Sequence, residues 1–85
     1  MKRHLNQPSH PAFRQQKKQD LGLRVRKLRN QKRITLEKLS ELSGLHATYL
    51  GEVERGIRNP ALVSIVKIAR GLNVTPAKLF GTGRW

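Results

Sequence analysis

The chain has 85 residues, and its 18 Lys and Arg side chains against five Asp and Glu give a formal net charge of +13. This length accommodates one small domain with flanking segments. The absence of cysteine excludes a disulfide scaffold, a thiol nucleophile and cysteine-ligated zinc. The sequence shows neither an apolar run near the roughly 20 residues of a membrane span nor a signal-peptide core. We therefore expect a soluble, cytoplasmic protein.

The basic residues lie on both sides of the acidic ones. All five acids fall between Asp20 and Glu54, and four of them fall within 37–54, whereas the N-terminal residues and the segment 24–33 are rich in Lys and Arg. Such a balance attracts polyanions, either nucleic acid or an acidic membrane surface. Because +13 on 85 residues exceeds what solubility requires, nucleic acid is the favoured partner.

The N-terminal segment 1–19 has a composition typical of disorder. It contains two prolines, four glutamines and few apolar side chains, so it cannot bury enough surface to offset its ordering entropy. We predict a flexible basic arm, which either contacts DNA or is an ordinary solvated tail. His4 and His10 have no ligand-type neighbours in the sequence, and no metal site is expected.

Apolar residues at helical spacing predict an all-α domain over residues 20–80. It is a compact bundle of five short helices, expected over about 20–32, 36–42, 46–55, 60–72 and 76–80. The apolar residues that define the buried faces are Leu21, Val25, Leu28, Leu36, Leu39, Leu42, Leu62, Ile65, Ile68 (or Val66), Ala69 and Leu72. Residues 81–85 are predicted to be a flexible C-terminal end.

Capping residues mark the expected helix ends. Side chains that accept hydrogen bonds from a first helical turn stand at four predicted starts, namely Asp20, Thr35, Asn59 and Thr75. Proline follows two of them, at the first helical position, where its missing N–H needs no partner. Gly44 and Asn73 are suited to the left-handed conformation that ends a helix.

The segment from Thr35 to Gly56, TLEKLSELSGLHATYLGEVERG, contains two helical patterns separated by Ser43-Gly44-Leu45. A helix, a short glycine-containing turn and a second helix make up the helix-turn-helix, whose second helix enters the DNA major groove. Many helical hairpins share this pattern, so the spacing makes the motif plausible without proving it.

Residues 21–80 resemble the phage-repressor/Cro, or XRE-type, helix-turn-helix DNA-binding family. Four segments carry the resemblance in order: LGLRVRKLR, TLEKLSELSGL, TYLGEVERGIRNP and KIARGLNVTPAKLF. Within the family, GLHATYLGEVERGIRNP is especially similar to the small controller proteins of restriction–modification systems. The resemblance implies a repressor-like helical fold that binds double-stranded DNA.

The resemblance also implies roles for individual residues. Helix 3 would read bases through Ala47, Thr48, Tyr49 and Glu52. The DNA backbone would be contacted by His46, Lys38, Arg55, Arg58 and Asn59. An ion pair between Arg29 and Glu54 would tie helix 3 to helix 1. Two alternatives stay open: Tyr49 as a half-buried core aromatic, and Glu52 as a carboxylate that only repels wrong sequences.

Two positions depart from the family pattern. Leu36 stands where the family usually has Gln at the start of helix 2, and Ala47 stands where controller-type proteins frequently have Arg. The loss of that Arg would remove the commonest bidentate reader of guanine. We therefore expect sparse direct base readout, with more weight on phosphate contacts and DNA shape.

The favoured function is a sequence-specific transcriptional regulator that binds a pseudopalindromic operator as a homodimer, in the nucleoid. The dimer surface is predicted to contain Val74, Leu79, Phe80 and Trp85. One alternative is an antitoxin or adaptor whose main partner is another protein. Another is non-specific RNA or chromatin-type binding, which four aromatic residues support poorly. No catalytic residues, cofactor or small-molecule effector domain are expected.

Overall fold

The computed structural model describes residues 11–80, with side chains described from Asp20 onwards. This part of the chain contains helices and no strand, which confirms the all-α prediction. The helices are α1 (Pro11–Gln31), α2 (Leu36–Ser43), α3 (Ala47–Glu54), α4 (Leu62–Leu72) and α5 (Pro76–Leu79). The remainder of the predicted arm, residues 1–10, and the predicted C-terminal end, residues 81–85, lie outside the described residues.

Helix α1 is longer than predicted, because it begins at Pro11 instead of near Asp20. Asp20 therefore lies inside the helix and is not its N-terminal cap. Proline is favoured at a first helical position, and the Ala, Arg, Gln and Lys that dominate residues 12–19 are good helix formers. The polar composition that predicted a flexible arm is equally compatible with a helix.

The caps around α2 and after α4 agree with the prediction. The Thr35 hydroxyl accepts a hydrogen bond from the Lys38 backbone N–H at 3.0 Å, which satisfies one free donor of the first turn of α2. Gly44 ends α2 with φ of 79°, and Asn73 ends α4 with φ of 60°. Both residues adopt the left-handed conformation that Gly and Asn tolerate best.

The predicted start of α4 at Asn59-Pro60 is wrong. The helix begins at Leu62 after an extended Ala61, which provides no side-chain cap. Asn59 and Pro60 belong instead to the loop between α3 and α4, in which the Pro60 ring is buried. The buried ring anchors the loop, so the chain reaches helical conformation two residues later than the Asn-Pro signal indicates.

The core forms where α1 packs on α3 and α2 packs on α4. Its buried apolar residues are Leu21, Val25, Leu28, Leu39, Leu50, Val53, Ile65, Ile68, Ala69, Leu72 and Leu79. Two predicted core residues are exposed, Leu42 at 47% and Leu62 at 69%, and Leu36 is half-buried against the core. The inward line of α2 runs through Leu39 and Ser43, a spacing of four that turns Leu42 outward. Leu62 occupies the first turn of α4, ahead of the residues that pack.

Gly22 allows α1 to approach the end of α3 closely. A Cβ atom at this position would lie 2.2 Å from the Val53 carbonyl oxygen and 2.6 Å from that of Glu54. No side chain fits at such distances, so the contact between the two backbones requires glycine. Helix α3 is therefore held against α1 at its C-terminal end.

Candidate nucleic-acid interface

Helix α3 has a buried face and an outward face. Leu50 and Val53 are fully buried, and Glu54 is 7% exposed. The four residues predicted to read bases differ in exposure, since Thr48 is exposed and Ala47, Tyr49 and Glu52 are half-buried. Tyr49 also packs against the core, as the alternative of a half-buried core aromatic predicted. Thr48 and Glu52 lie on the side of α3 that faces away from its buried residues.

The turn before α3 sets the direction of that helix. The Ser43 hydroxyl accepts a hydrogen bond from the Leu45 backbone N–H at 3.2 Å, and the left-handed Gly44 reverses the chain. His46 then precedes the first turn of α3 with no side-chain capping bond, and its side chain is exposed. The arrangement is the helix-turn-helix predicted from the sequence.

Arg29 and Glu54 form an ion pair that fixes α3 to α1. The Arg29 Nε donates to Glu54 Oε2 at 2.6 Å, and Nη2 donates to Oε1 at 3.1 Å. A third bond runs from Nη1 to the Ile34 carbonyl oxygen at 2.9 Å. The side chains are 14% and 5% exposed. This bidentate geometry is the strong form of an arginine–carboxylate contact, and the sequence resemblance had implied the pair.

The hydrogen bonding of Arg29 to the Glu54 carboxylate, which accepts, is the main cause of a raised pKa at Arg29; burial partly opposes the rise, and the charges of Glu54 and Glu37 assist it. A cationic group whose folded pKa is raised contributes stability fully below its unfolded pKa, and that stability is lost only as pH rises through the folded value. Because arginine loses its proton only at very high pH, Arg29 stays charged over the pH range of ordinary experiments, and its deprotonation does not break the ion pair.

Three residues on and after α3 form a second cluster, the Tyr49–Glu52–Arg58 cluster. Arg58 follows α3 in the loop, yet its Nε donates to Glu52 Oε1 at 2.9 Å. Its guanidinium carbon lies 5.6 Å from the centre of the Tyr49 ring, within the range of a cation–π contact. The loop turns back at Gly56, where φ is 76°, and the sequence pattern alone did not indicate this contact.

The other residues predicted to contact the DNA backbone lie on the surface around the motif. Arg55 is exposed, and its Nη1 lies 3.1 Å from the place that a Cβ atom would occupy if Gly51 carried a side chain. Asn59 is exposed in the loop. Lys38 lies on α2, where its Nζ is 3.5 Å from Glu41 Oε1 in an exposed pair. The structure therefore gathers Arg55 and Arg58 at the end of α3 and places Lys38 on the neighbouring helix.

The predicted dimer surface requires a correction. Leu79 is 1% exposed and belongs to the core of its own chain, so its side chain has no surface to offer a partner. Val74 and Phe80 are half-buried and pack against the same core, and Trp85 lies outside the described residues. Helix α5 is only four residues long. The buried side chain of Leu79, which was predicted to lie at the dimer interface, holds this helix to the domain.

Exposed apolar side chains occur elsewhere on the described surface. They are Leu23, Leu42, Ile57, Leu62 and Val63. Ile57 is in the loop after α3, and Leu62 with Val63 begins α4. We call these last three residues the apolar loop patch. The sequence pattern does not mark this patch, because Leu62 falls at helical spacing with Ile65 and was predicted to lie on the buried face of α4.

Within residues 20–80, the side chains of His, Asp and Glu form no group of three or more able to hold a metal ion. None of the helices that the structure describes is both long and apolar enough to cross a bilayer.

Comparisons with known proteins extend these observations. The family model described as helix-turn-helix matches residues 25–79. The control protein C.SmaI of Serratia marcescens is 44% identical over 62 residues, covering 73% of this chain and 74% of the relative. The control protein C.BamHI of Bacillus amyloliquefaciens is 42% identical over 59 residues, covering 68% of this chain and 73% of the relative.

A solved structure shows the same arrangement. The restriction–modification controller protein C.AhdI from Aeromonas hydrophila shares 46% sequence identity and superposes with a TM-score of 0.73. The match covers 74% of this chain and 96% of that protein. With a matching family model over most of the domain and several relatives of similar length, the chain belongs to the XRE-type helix-turn-helix family of transcriptional regulators.

Proposed function

We propose that this protein is a transcriptional regulator that binds a specific duplex DNA site as a homodimer, with α3 in the major groove. The observation that carries the proposal is the division of α3 into a face fixed in the core and an outward face that bears Thr48 and Glu52. A rigidly held helix with small and polar outward side chains fits the major groove, which admits one α-helix. DNA as the partner would place the protein at the nucleoid.

Base reading is assigned first to Thr48 and Ala47 in the first turn of α3. A threonine hydroxyl can donate to or accept from a base edge, and methyl groups of either residue can contact a thymine methyl. Both side chains are short, so they reach bases only if the helix lies deep in the groove. Backbone contacts on both sides would support that position, and Arg55, Asn59, Lys38 and His46 are the surface candidates.

The homodimer follows from the size of the reading surface. A helix of eight residues reads only a few base pairs, and two copies related by a twofold axis read half-sites about 10 bp apart or a multiple of that. Since Leu79 is buried, we place the contact between copies on the apolar loop patch. Ile57, Leu62 and Val63 are each more than 60% exposed, and the patch adjoins the end of α3.

A charged substitution tests this surface. Leu62→Glu is expected to convert the dimer to a monomer, because a carboxylate in the contact would have to be desolvated without a partner. The measurement is sedimentation equilibrium at several protein concentrations. Leu23→Glu is the matched control, since Leu23 is 63% exposed on α1 and Leu62 is 69% exposed on α4. Dissociation by both substitutions, or by neither, would contradict the assignment.

Binding to genomic DNA fragments, with sequencing of the retained sites at two salt concentrations, tests the function itself. If the protein is a sequence-specific regulator, DNA fragments that share a short symmetric site should stay bound at the higher salt concentration. If binding is purely electrostatic, the retained fragments should share no motif. The affinity of a protein that makes six to ten phosphate contacts would then fall about 10³- to 10⁵-fold between 50 and 200 mM salt.

Substitution of Thr48 separates reading from general affinity. Thr48→Ala is expected to weaken the retained site about 5- to 100-fold, since a specific base contact contributes about 1–3 kcal/mol. Random duplex DNA of the same length should be bound almost as before. Arg55→Ala serves as the comparison and should weaken both DNAs by similar factors. Equal losses from Thr48→Ala on the two DNAs would remove Thr48 from the reading surface.

The regulator is favoured over an antitoxin or adaptor because the relatives reported above are named as control or controller proteins. The same binding experiment distinguishes the two. An antitoxin whose main partner is a protein would bind its DNA tightly only with that partner present, whereas the proposed regulator binds as purified.

A further inference from the structure

The Tyr49–Glu52–Arg58 cluster places an arginine from the loop beside the reading helix. Helix α3 itself, ATYLGEVE, contains no Lys or Arg. Arg58 lies in sequence beyond the end of α3, but its guanidinium returns to Glu52 and to the ring of Tyr49 in the first turn. Two backbone bonds, from the N–H groups of Ile57 and Arg58 to the Glu52 carbonyl oxygen at 2.9 and 3.4 Å, fix this return.

The contact with Glu52 changes what Arg58 offers to DNA. An arginine that contacts phosphate acts largely through its charge, because it replaces condensed counterions. Here a carboxylate stands 2.9 Å from the Arg58 Nε, so the pair is close to neutral and attracts phosphate weakly. Glu52 itself is repelled by phosphate. The cluster therefore suits a neutral acceptor better than an anionic one.

The geometry leaves one edge of the guanidinium available. Arginine has five N–H donors in a planar fork, and the bond to Glu52 uses Nε. Among the described residues, the hydrogen bonds of the Arg58 side chain involve only that atom, so its two Nη groups remain free to donate. The guanidinium carbon lies over the Tyr49 ring, 5.6 Å from its centre. Arg58 is 56% exposed and Glu52 is 27% exposed at their side chains, so the partly buried carboxylate orients the more exposed cation.

We propose that Glu52 is a positioning residue which holds Arg58 as a neutral, oriented pair of donors for a guanine base edge. Guanine presents its O6 and N7 acceptors in the major groove in the arrangement that arginine matches bidentately. Glu52 thereby contributes to specificity through Arg58, and Arg58 reads a base instead of contacting phosphate. This inference rests on the proposed function, because it requires α3 to lie in the major groove.

The test compares four forms of the full chain on the operator selected from genomic DNA and on random duplex of equal length: wild type, Glu52→Gln, Arg58→Ala and the double variant. Glu52→Gln keeps the shape of the side chain and removes its charge. It is expected to lower the ratio of operator to random affinity about tenfold, which corresponds to about 1.4 kcal/mol of lost discrimination. Affinity for random DNA should rise, because Arg58 regains its full charge. When Arg58 is already replaced by alanine, adding Glu52→Gln should leave the ratio of operator to random affinity unchanged.

Salt dependence and a lysine variant separate orientation from charge. Arg55→Ala should reduce the slope of log affinity against log salt on operator DNA by about 0.9, as expected for one lost phosphate contact. The double variant, which removes the whole pair and leaves no unpaired charge, should leave that slope nearly unchanged while lowering the ratio of affinities. Arg58→Lys should lower the ratio as well, because lysine keeps the charge but has no planar pair of donors. Thermal unfolding of each variant checks that the fold is retained.

Two results would overturn the inference. If Glu52→Gln strengthens binding to operator and random DNA by the same factor, Glu52 acts only by repelling phosphate. If the double variant reduces the salt slope as much as Arg55→Ala, Arg58 is a phosphate contact. Failure of the proposed function is distinguishable from both, since wild-type protein would then select no site from genomic DNA.

Discussion

Arg29→Met is expected to lower the free energy of unfolding by about 3 kcal/mol, the lower end of the range for breaking a buried pair. Methionine preserves much of the apolar stem but leaves the Glu54 carboxylate, 5% exposed, without its bidentate partner. The Ile34 carbonyl oxygen also loses the bond from Nη1. The lower end applies because the Arg29 side chain retains 14% exposure, which lets water replace part of the lost contact.

The measurement is thermal unfolding followed by circular dichroism. A loss of about 3 kcal/mol corresponds to a decrease in Tm of about 12–24 °C for a domain of this size. Lys38→Met is the matched control, because it also removes a cation from an ion pair, but with side chains 53% and 71% exposed. Exposed pairs contribute about 0.2–1 kcal/mol. Similar shifts in the two variants would show that Arg29 and Glu54 act as an ordinary surface pair.

Gly22→Ala should destabilise the domain by about 2–3 kcal/mol, as overpacking typically does. The new methyl group would meet two backbone carbonyl oxygens, at 2.2 and 2.6 Å, and neither can move without shifting α3. This cost exceeds the gain of about 1 kcal/mol that alanine usually brings to a helix interior. Any relief moves α1 away from the end of α3 and so lengthens the Arg29–Glu54 contact.

Gly51→Ala is the control for this substitution, since it makes the same chemical change inside a helix. A methyl group there would lie 3.1 Å from the Arg55 Nη1, the far end of a flexible side chain, and 3.6 Å from the Leu36 Cδ1. Stability should stay the same or rise by up to about 1 kcal/mol. Urea unfolding gives both values from one protocol. A Gly22→Ala variant as stable as wild type would contradict the close approach of the two backbones.

The features that could be predicted from the sequence are those determined by a few neighbouring residues. The Thr35 cap and the left-handed Gly44 and Asn73 depend on the local chemistry of one helix end, so their sequence signal is direct. The Arg29–Glu54 pair joins residues 25 positions apart. Family resemblance implied it, whereas periodicity alone contained no information about this contact.

The features that could not be predicted depend on how the helices pack. Leu42 and Leu79 have equally apolar side chains, yet one is 47% exposed and the other 1%. The difference comes from which helix covers each position, and single-helix patterns do not specify that. The contact of Arg58 with Glu52 and Tyr49 likewise requires the loop reversal at Gly56. The position of Arg58 just beyond helix 3 predicted a phosphate contact, whereas its contacts with Glu52 and Tyr49 are the basis on which we propose a base edge.

The separation of the two faces of α3 has a consequence for how binding preference can change. Leu50, Val53 and Glu54 fix the helix in the core, while Ala47 and Thr48 make no hydrogen bond or ion pair through their side chains in the described structure. A gene library randomised at the latter two codons should therefore yield mostly folded proteins with altered operators. Codons 52 and 58 should be varied together, since their side chains act as one unit. The preferred operator would then change through single substitutions at residues 47 and 48, but through paired substitutions at residues 52 and 58.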